Sequence, residues 1–456
     1  MMNLPTLLPQ LDSTETKPQL SLLSEDYSLL TDLYQLTMTA CYVGESLDQS
    51  TASFELFVRK LPKGFGYLIA MGLAQALEYL EQLRFNPARI AQLQQMEVFK
   101  NAPTRFWELL ATTQFTGSVW AVPEGTAIFA NEPILRIEAP LWQAQLVETY
   151  LLNTINYQTL IATRAARLRN VAGTAANLIE FGTRRAFSPQ ASLWAARAAI
   201  AGGLDSTSNV LAALQLGYQP SGTMAHSLVM AMSAVSGGEQ AAFTAFHRYF
   251  PTAPLLLDTY DPIIAATELA KRVAAGEIQL TGIRLDSGDL ASLSRQIKEI
   301  LPDIDIFASG DLDEWKIAEL RAANAPISGY GLGTKLVTGS PVNGVYKLVE
   351  IDSIPTMKKS PGKTTYPGRK QIFRQVEAGQ IRRDTLGLMT EGEGLLQLVM
   401  EQGNRLQPDD DLATIRQRTD LNVASLSTEI RDVNYDKSDP VDISPALAQL
   451  TLNTGG

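Results

Sequence analysis

LTGIRLDSGD, residues 280–289, is a short apolar run that breaks into charge and glycine and then hands over to a helical stretch. Five further runs between residues 175 and 345 follow the same plan: ANLIEFGTRR (176–185), PSGTMAHS (220–227), PLLLDTYD (254–261), DIFASGD (305–311) and ISGYGLGT (327–334). Apolar runs of strand length alternating with helical segments are the mark of parallel βα units, because a parallel strand is covered on both faces. Six of them in so short a span predict an α/β fold in which the strands form an irregular parallel α/β barrel rather than an open sheet. In either arrangement chemistry gathers at the C-terminal ends of the strands, which is where each run places its polar residues.

The flanks read differently. SFELFVRKLP (53–62) has strand character, and GYLIAMGLAQALEYLEQL (66–83) reads as a helix entered through glycine. Residues 115–140 look like short strands broken by Pro and Gly, and helical spacing begins at Trp142. After Gly344 the pattern returns to strands and turns, in GVYKLVEI (344–351) and RQVEAGQIRRDTLGL (374–388). These features predict a polar, mobile lead-in over residues 1–25, a mixed α+β domain built from residues 26–150 and 345–445, and a barrel over residues 151–344. The last residues, from DISPALAQL onward, carry no clear signal.

Composition narrows the chemistry. The chain has 456 residues, 45% of them hydrophobic and 19% charged, which suits a folded protein with a large core. A formal net charge of −10 argues against general affinity for nucleic acid or an anionic membrane, so an anionic substrate must meet a local basic patch. One cysteine and two histidines leave no disulfide framework, no cysteine-rich zinc site and no multi-histidine metal centre. The single cysteine fits a reducing compartment, and neither a signal-peptide pattern nor a membrane-length apolar run is present, so the protein is expected to be cytoplasmic.

The strand ends offer a set of groups. Phe181, Arg184 and Arg185 follow the first run, and an aromatic face beside a guanidinium fork suits a flat aromatic acid. A core phenylalanine with two surface arginines would look the same. Arg284, Asp286, Ser287 and Asp289 either pair with one another or orient a sugar, with Asp286 accepting from hydroxyls and Arg284 meeting an anion. Asp258 and Asp261 add carboxylates, for which Mg²⁺ held partly by substrate phosphates is the natural partner. Gly310, Asp311, Gly329, Gly331, Gly333 and Thr334 come from the last two runs, where barrels commonly bind phosphate; the glycines would equally serve tight turns. The loop KKSPGKTTYPGRKQIFR (358–374) carries six basic residues and no acidic one; it reads either as a solvated loop or as a polyphosphate clamp using Lys363, Arg369 and Lys370. Together these groups would suit a phosphoribosyl donor meeting an aromatic acid. Of the two histidines, His226 ends the second run and His247 lies among apolar residues.

The wording of these motifs resembles the nicotinate phosphoribosyltransferase family. FELFVRKLPKGFGYLIAMGL, EFGTRRAFSP, GGLDSTSNVLAA, GTMAHSLVMA, LLLDTYD, GIRLDSGDL, GLGT and GVYKLVE carry the likeness, with TDLYQLTMTACY (31–42) similar to an N-terminal signature. The resemblance covers roughly residues 26–375 and weakens over the last 60 or so. It implies ATP-coupled transfer of phosphoribose to nicotinate, giving nicotinate mononucleotide and pyrophosphate, with His226 as the residue phosphorylated by ATP. It implies that Phe181 and Tyr34 stack on the ring, Tyr34 coming from the partner subunit of a homodimer with shared active sites. It further implies Arg284, Thr223 and Arg184 around the nicotinate, Asp286 on the ribose side, and Gly310, Gly331, Gly333 and Thr334 cradling the 5′-phosphate. Arg59, Arg369 and Lys370 are similar to groups around pyrophosphate and ATP, partly across the dimer interface. Mg²⁺ would accompany phosphoribosyl pyrophosphate and ATP, and no structural zinc is expected.

Alternatives stay open on the residues alone. Asp205 in GGLDSTSN is a second carboxylate for the pyridine site and would suit an amide, which makes nicotinamide the competing acceptor. A phosphate-binding barrel isomerase or aldolase would need a strand-end base, for which Lys335 is the available lysine. A non-catalytic metabolite sensor would bind the same ligands without releasing pyrophosphate.

Overall fold

Two kinds of sheet divide the molecule, and they differ in what covers them. The computed structural model describes residues 23–435, 437 and 441–455. Most of the expected lead-in, residues 1–22, lies outside the described residues.

The parallel sheet has six strands, Asn177–Glu180, Ser206–Thr207, Leu255–Leu256, Gly282–Leu285, Asp305–Ala308 and Gly329–Leu332. Their spatial order puts Ser206–Thr207 at one edge, then Asn177–Glu180, Gly329–Leu332, Asp305–Ala308, Gly282–Leu285, and Leu255–Leu256 at the other edge. Five of the six apolar runs supply a strand. PSGTMAHS does not: residues 219–225 have no regular structure, and the strand that the run was expected to provide is Ser206–Thr207, from GGLDSTSN. Pro220 has no N–H for a ladder and Gly222 is poor strand material, so this segment follows the sheet edge as a loop instead. Ser221 N–H donates to the Thr207 carbonyl (2.9 Å). The two edge strands do not pair with each other, yet Pro220–Thr223 and residues from the strands line one interior cavity. The sheet therefore curls around its own interior with a loop across the seam, an irregular closure in which the hydrogen-bonded ladder is incomplete.

The helices that follow the strands begin on capping side chains. Asn209 accepts from Ala212 N–H, Asp261 from Ile263 and Ile264, Asp289 from Ser292, and Asp313 from Lys316. Each such cap contributes about 1 kcal/mol and fixes where the strand-end loop stops. Asp261 and Asp289, offered by the sequence as members of an acidic cluster, are engaged in this way.

The second large sheet is antiparallel and seven-stranded. Its strands come from both ends of the chain, in the order Ile354–Pro355, Gly344–Ile351, Thr51–Val58, Pro133–Pro140, Ser118–Ala121, Gln397–Glu401 and Asn404–Arg405. The stretch GYLIAMGLAQALEYLEQL splits: Leu68–Ile69 is a strand, and the helix Leu73–Gln82 starts only after Gly72, whose φ of 103° suits glycine. The final residues, which gave no clear signal, form the strand Val441–Ile443 and the helix Pro445–Gly455. The helix Glu148–Ala172 joins the two halves: Leu151 and Ile155 pack in the core under the antiparallel sheet, while Ile161, Ala165 and Leu168 pack in the core around the parallel one. Its length of 25 residues, about 37 Å at 1.5 Å per residue, lets one element serve both cores. Among the described residues no helix is long and apolar enough to cross a membrane.

Candidate active site

The C-terminal ends of the parallel strands bring together residues far apart in sequence. Asp286 stands one position past Gly282–Leu285, and its Oδ1 accepts from Ser309 Oγ (2.6 Å) past the neighbouring strand. Asp258, past Leu255–Leu256, accepts from Asp286 N–H (2.8 Å) and Ser287 Oγ (2.6 Å) through one oxygen. Its other oxygen is buried without a hydrogen-bond partner. Gly310 has φ of 92°, and a Cβ there would run into the Asp286 carbonyl, so only glycine lets these two strand ends meet.

His226 opens the helix His226–Ser236, with its side chain 39% exposed. Thr259 Oγ1 lies 3.0 Å from its Nδ1, and Asp286 Oδ2 lies 3.9 Å from its Nε2. Neither contact was legible from sequence spacing, since Thr259 and Asp286 are 33 and 60 residues away. His247 lies in the last turn of the helix Glu239–Tyr249, away from these groups.

Below the rim lies a cavity of about 390 Å³ inside the curled sheet. Its upper part is made by Phe181, Ile179, Gly331 and Thr223, and Arg284 reaches into it from the middle of its strand. Arg284 Nη1 donates to Thr223 Oγ1 (2.8 Å), while its buried Nε has no protein partner. Burial lowers the Arg284 pKa, and Arg184 nearby acts in the same direction against Asp286 and Asp258. A guanidinium with an unpaired, buried N–H beside a cavity of mixed polar and apolar lining has the chemistry to bind a carboxylate. The Phe181 ring lies over Gly331, where a Cβ would collide with it. Gly333 and Thr334 begin the short helix Thr334–Val337 directly above.

Other residues singled out by the sequence are elsewhere. Lys370 is fully buried in the antiparallel half, with Nζ on Glu55 (2.8 Å) and on the carbonyls of Tyr366 and Gly368. Arg369 lies 3.0 Å from Glu350 and 3.4 Å from Glu138. The structure does not bring this pair to the cavity, because acidic residues from neighbouring strands already neutralise both. Asp205 accepts from Arg169 (2.6 Å), Arg416 (2.8 Å) and Leu178 N–H (2.8 Å), and it does not line the cavity. Hydrogen bonds from these partners hold its carboxyl below the usual range against the opposing effect of burial. Lys335 is exposed.

Arg59 and Tyr34 also lie on the other half of the molecule. Arg59 follows the strand Thr51–Val58, and its Nε and Nη2 are buried without partners. Lys347, on the paired strand Gly344–Ile351, is close enough to Arg59 to feel its charge, and burial lowers the Lys347 pKa. Lys347 was not singled out from the sequence; its place in GVYKLVE gives no sign of the cation beside it. Tyr34 is 46% exposed on the helix Leu33–Gly44 and does not line the cavity. Among the described residues no group of three or more His, Cys, Asp or Glu side chains could hold a metal ion alone. Asp258 and Asp286 fit a cation that brings most of its ligands with a polyphosphate.

Three family models match the chain: the nicotinate phosphoribosyltransferase N-terminal domain over residues 29–156, the nicotinate phosphoribosyltransferase family over 176–317, and its C-terminal domain over 367–451. The chain is 42% identical over 438 residues to nicotinate phosphoribosyltransferase pncB2 of Mycobacterium tuberculosis, covering 92% of each. It is 38% identical to the Bacillus subtilis nicotinate phosphoribosyltransferase, over 92% of this chain and 93% of that one. Its structure matches that of human nicotinic acid phosphoribosyltransferase with a TM-score of 0.80 and 29% identity, covering 94% of this chain and all of that one.

Proposed function

The chain belongs to the nicotinate phosphoribosyltransferase family, and from that premise we propose that it transfers the phosphoribosyl group of phosphoribosyl pyrophosphate to nicotinate. The products are nicotinate mononucleotide and pyrophosphate, within NAD biosynthesis, and ATP is coupled to the transfer through phosphorylation of His226. The observation that carries this reading is Arg284: a guanidinium whose buried Nε has no protein partner, lining one cavity with Phe181 and Thr223, two residues before Asp286 at the strand end.

The acceptor ring stacks on Phe181 with its carboxylate on Arg284 and Thr223, which turns the pyridine nitrogen toward the mouth. The nitrogen lone pair then forms a bond to the ribose anomeric carbon as the bond to pyrophosphate breaks, and positive charge develops on the sugar. Asp286, held by Ser309, orients the ribose hydroxyls and stabilises that charge. Gly310, Gly331, Gly333 and Thr334 offer backbone N–H groups and a hydroxyl to the 5′-phosphate. Mg²⁺, where bound with the polyphosphate, supplies charge neutralisation, and Asp258 and Asp286 are the side chains that would face it. His226, oriented by Thr259, lies within reach of the same mouth, so a phosphoryl group on it adds about −1.5 to −2 charges beside the donor site.

A homodimer fits the surface. Phe187, Leu214, Met230, Tyr260 and Ile264 are exposed on the barrel half, and Leu30, Leu33 and Tyr34 on the other. A second copy would bring Tyr34 and the Arg59–Lys347 cations to the mouth, completing the ring stack and the pyrophosphate site.

Nicotinate is favoured over nicotinamide because Asp205, the carboxylate that would accept from an amide, is pinned by Arg169 and Arg416 outside the cavity. An isomerase or aldolase base is disfavoured because Lys335 is exposed rather than desolvated. The test is an incubation with phosphoribosyl pyrophosphate and Mg²⁺, offering nicotinate, nicotinamide or quinolinate, with and without ATP. Pyrophosphate release with nicotinate, increased by ATP, is expected. Release only with nicotinamide would reverse the acceptor, and ligand binding without any release would make the protein a sensor.

A further inference from the structure

The cavity continues well past the place where nicotinate would sit. Its volume of about 390 Å³ falls in the range of roughly 300–1,000 Å³ that encloses drug-sized ligands, whereas nicotinate is a single six-membered ring with one carboxylate. The strand register shows where the surplus lies. Arg284 is level with Phe307, and Gly282 with Asp305, two residues nearer the N-terminal ends of the strands. All four line the cavity, together with Pro254. Two residues of strand correspond to about 7 Å, the width of one more aromatic ring beyond the Arg284 level.

The walls suit such a ring. Phe181 lies over Gly331, and Phe307 lies over Gly329, where a Cβ would come within 2.6 Å of its ring. Glycine at both positions therefore makes room for the two rings at successive levels of the same cavity. Gly282, on the strand beside that of Phe307, presents no side chain, and a Cβ there would stand 3.5 Å from the Phe307 ring, so the same ring also spans the Gly282 level. The charged side chains that line the cavity are Arg284 and, at the far end, Asp305.

The geometry points to a wider acceptor class: the site takes fused bicyclic aromatic acids whose second ring extends away from the reacting nitrogen. This rests on the placement of nicotinate proposed above. With the nitrogen toward the mouth and the carboxylate on Arg284, the ring edge opposite the nitrogen faces Phe307 and Gly282. Isoquinoline-4-carboxylate adds its second ring on that edge. Quinoline-3-carboxylate, of equal size and charge, adds it beside the nitrogen, where it would meet the ribose. The bond changes are those of the nicotinate reaction, the ring nitrogen forming its bond to the anomeric carbon as pyrophosphate leaves.

The experiment compares pyrophosphate release and nucleotide product for the three acids on the full-length enzyme. Isoquinoline-4-carboxylate is expected within about 100-fold of nicotinate in kcat/KM, since the added ring is apolar and meets the Phe307 ring, and quinoline-3-carboxylate at least about tenfold below it. Asp305→Trp, at an exposed strand start that lines the far end, is expected to lower the isoquinoline-to-nicotinate ratio at least about tenfold by filling that space. Turnover of nicotinate with none of isoquinoline-4-carboxylate overturns the wider class and leaves the functional reading standing. Equal turnover of the two bicyclic acids, or an unchanged ratio in the variant, overturns the assigned position of the second ring. Failure of nicotinate itself would sink the functional reading and this inference with it.

Discussion

Arg284 and Lys370 are both cations offered by the sequence, and their surroundings are opposite. Arg284 sits on a parallel strand, lining a cavity, with one buried N–H unused. Lys370 sits on an antiparallel strand with its ammonium spent on Glu55 and two carbonyls. In the parallel half, side chains on the inner face of the curled sheet meet a void, so a polar group there lacks a protein partner and waits for a ligand. In the antiparallel half Lys370 and Arg369 find carboxylates on strands packed beside them, Glu55 for the one and Glu138 and Glu350 for the other. Charge in the sequence is therefore no guide to a site until it is known whether the fold has already neutralised it.

The difference between the two halves makes graded predictions. The largest concerns the rim of the cavity: His226→Ala is expected to abolish both phosphoenzyme formation and the ATP-linked stimulation while leaving slow ATP-independent pyrophosphate release. His247→Ala should retain the stimulation, and radiolabel transfer from ATP measures both. Equal behaviour of the two variants would remove His226 from the coupling step. Next, Arg284→Lys is expected to lose about 100-fold in kcat/KM for nicotinate, because an ammonium cannot reproduce the guanidinium's simultaneous bonds to Thr223 and a carboxylate. Full activity in steady-state assays would take Arg284 out of acceptor binding.

In the antiparallel half the effects should fall on stability instead. Lys370→Met is expected to cost about 3–5 kcal/mol in denaturant unfolding, by leaving Glu55 buried with only the distant Arg136 as a counter-charge (3.9 Å). The KM values of the folded fraction should stay within about threefold of wild type, since the residue is remote from the cavity. A large rise in the KM for ATP or phosphoribosyl pyrophosphate would return Lys370 to the polyphosphate site.

The smallest effect is a pH slope. Burial, with Asp384 alongside, pushes the Glu132 carboxyl well above its usual value, while Arg374 opposes the shift. The folded state thus holds a proton that the unfolded state releases near the ordinary carboxylate pKa. This contribution is fully present below that ordinary value and is lost as pH rises through the raised folded value. Glu132→Gln, which cannot ionise, is expected to flatten the fall in unfolding free energy above about pH 5, measured by denaturant titration at several pH values. An unchanged slope would show that Glu132 is charged in the folded state.

Much of the parallel half was legible because strand length, apolar continuity and the polar break after each run are local properties. Five runs became strands, and Asp286, Gly310 and Gly331 stand at strand ends or in the cavity as their positions implied. PSGTMAHS deceived because its position in the alternation matched a strand while Pro220 and Gly222 opposed one. Ser206–Thr207 was too short to be seen as a strand, and its existence depends on pairing with Ile179 and Glu180. The surroundings of Arg369 and Lys370 were not legible for the converse reason: their partners Glu55, Glu138 and Glu350 lie on other strands and meet them only in the folded structure.

The sequence by itself determined the βα alternation, the strand-end placement of the glycines and carboxylates, and the motif set that marks the family. Those properties are carried by neighbours along the chain. Which cation stays unpaired, that Asp205 is pinned by Arg169 and Arg416, that Thr259 and Asp286 flank His226, and that Phe307 lines the cavity level with Arg284 were decided by the tertiary structure alone. Each depends on contacts between residues brought together only when the sheet curls, and neutralisation or desolvation by such contacts leaves no trace in local sequence.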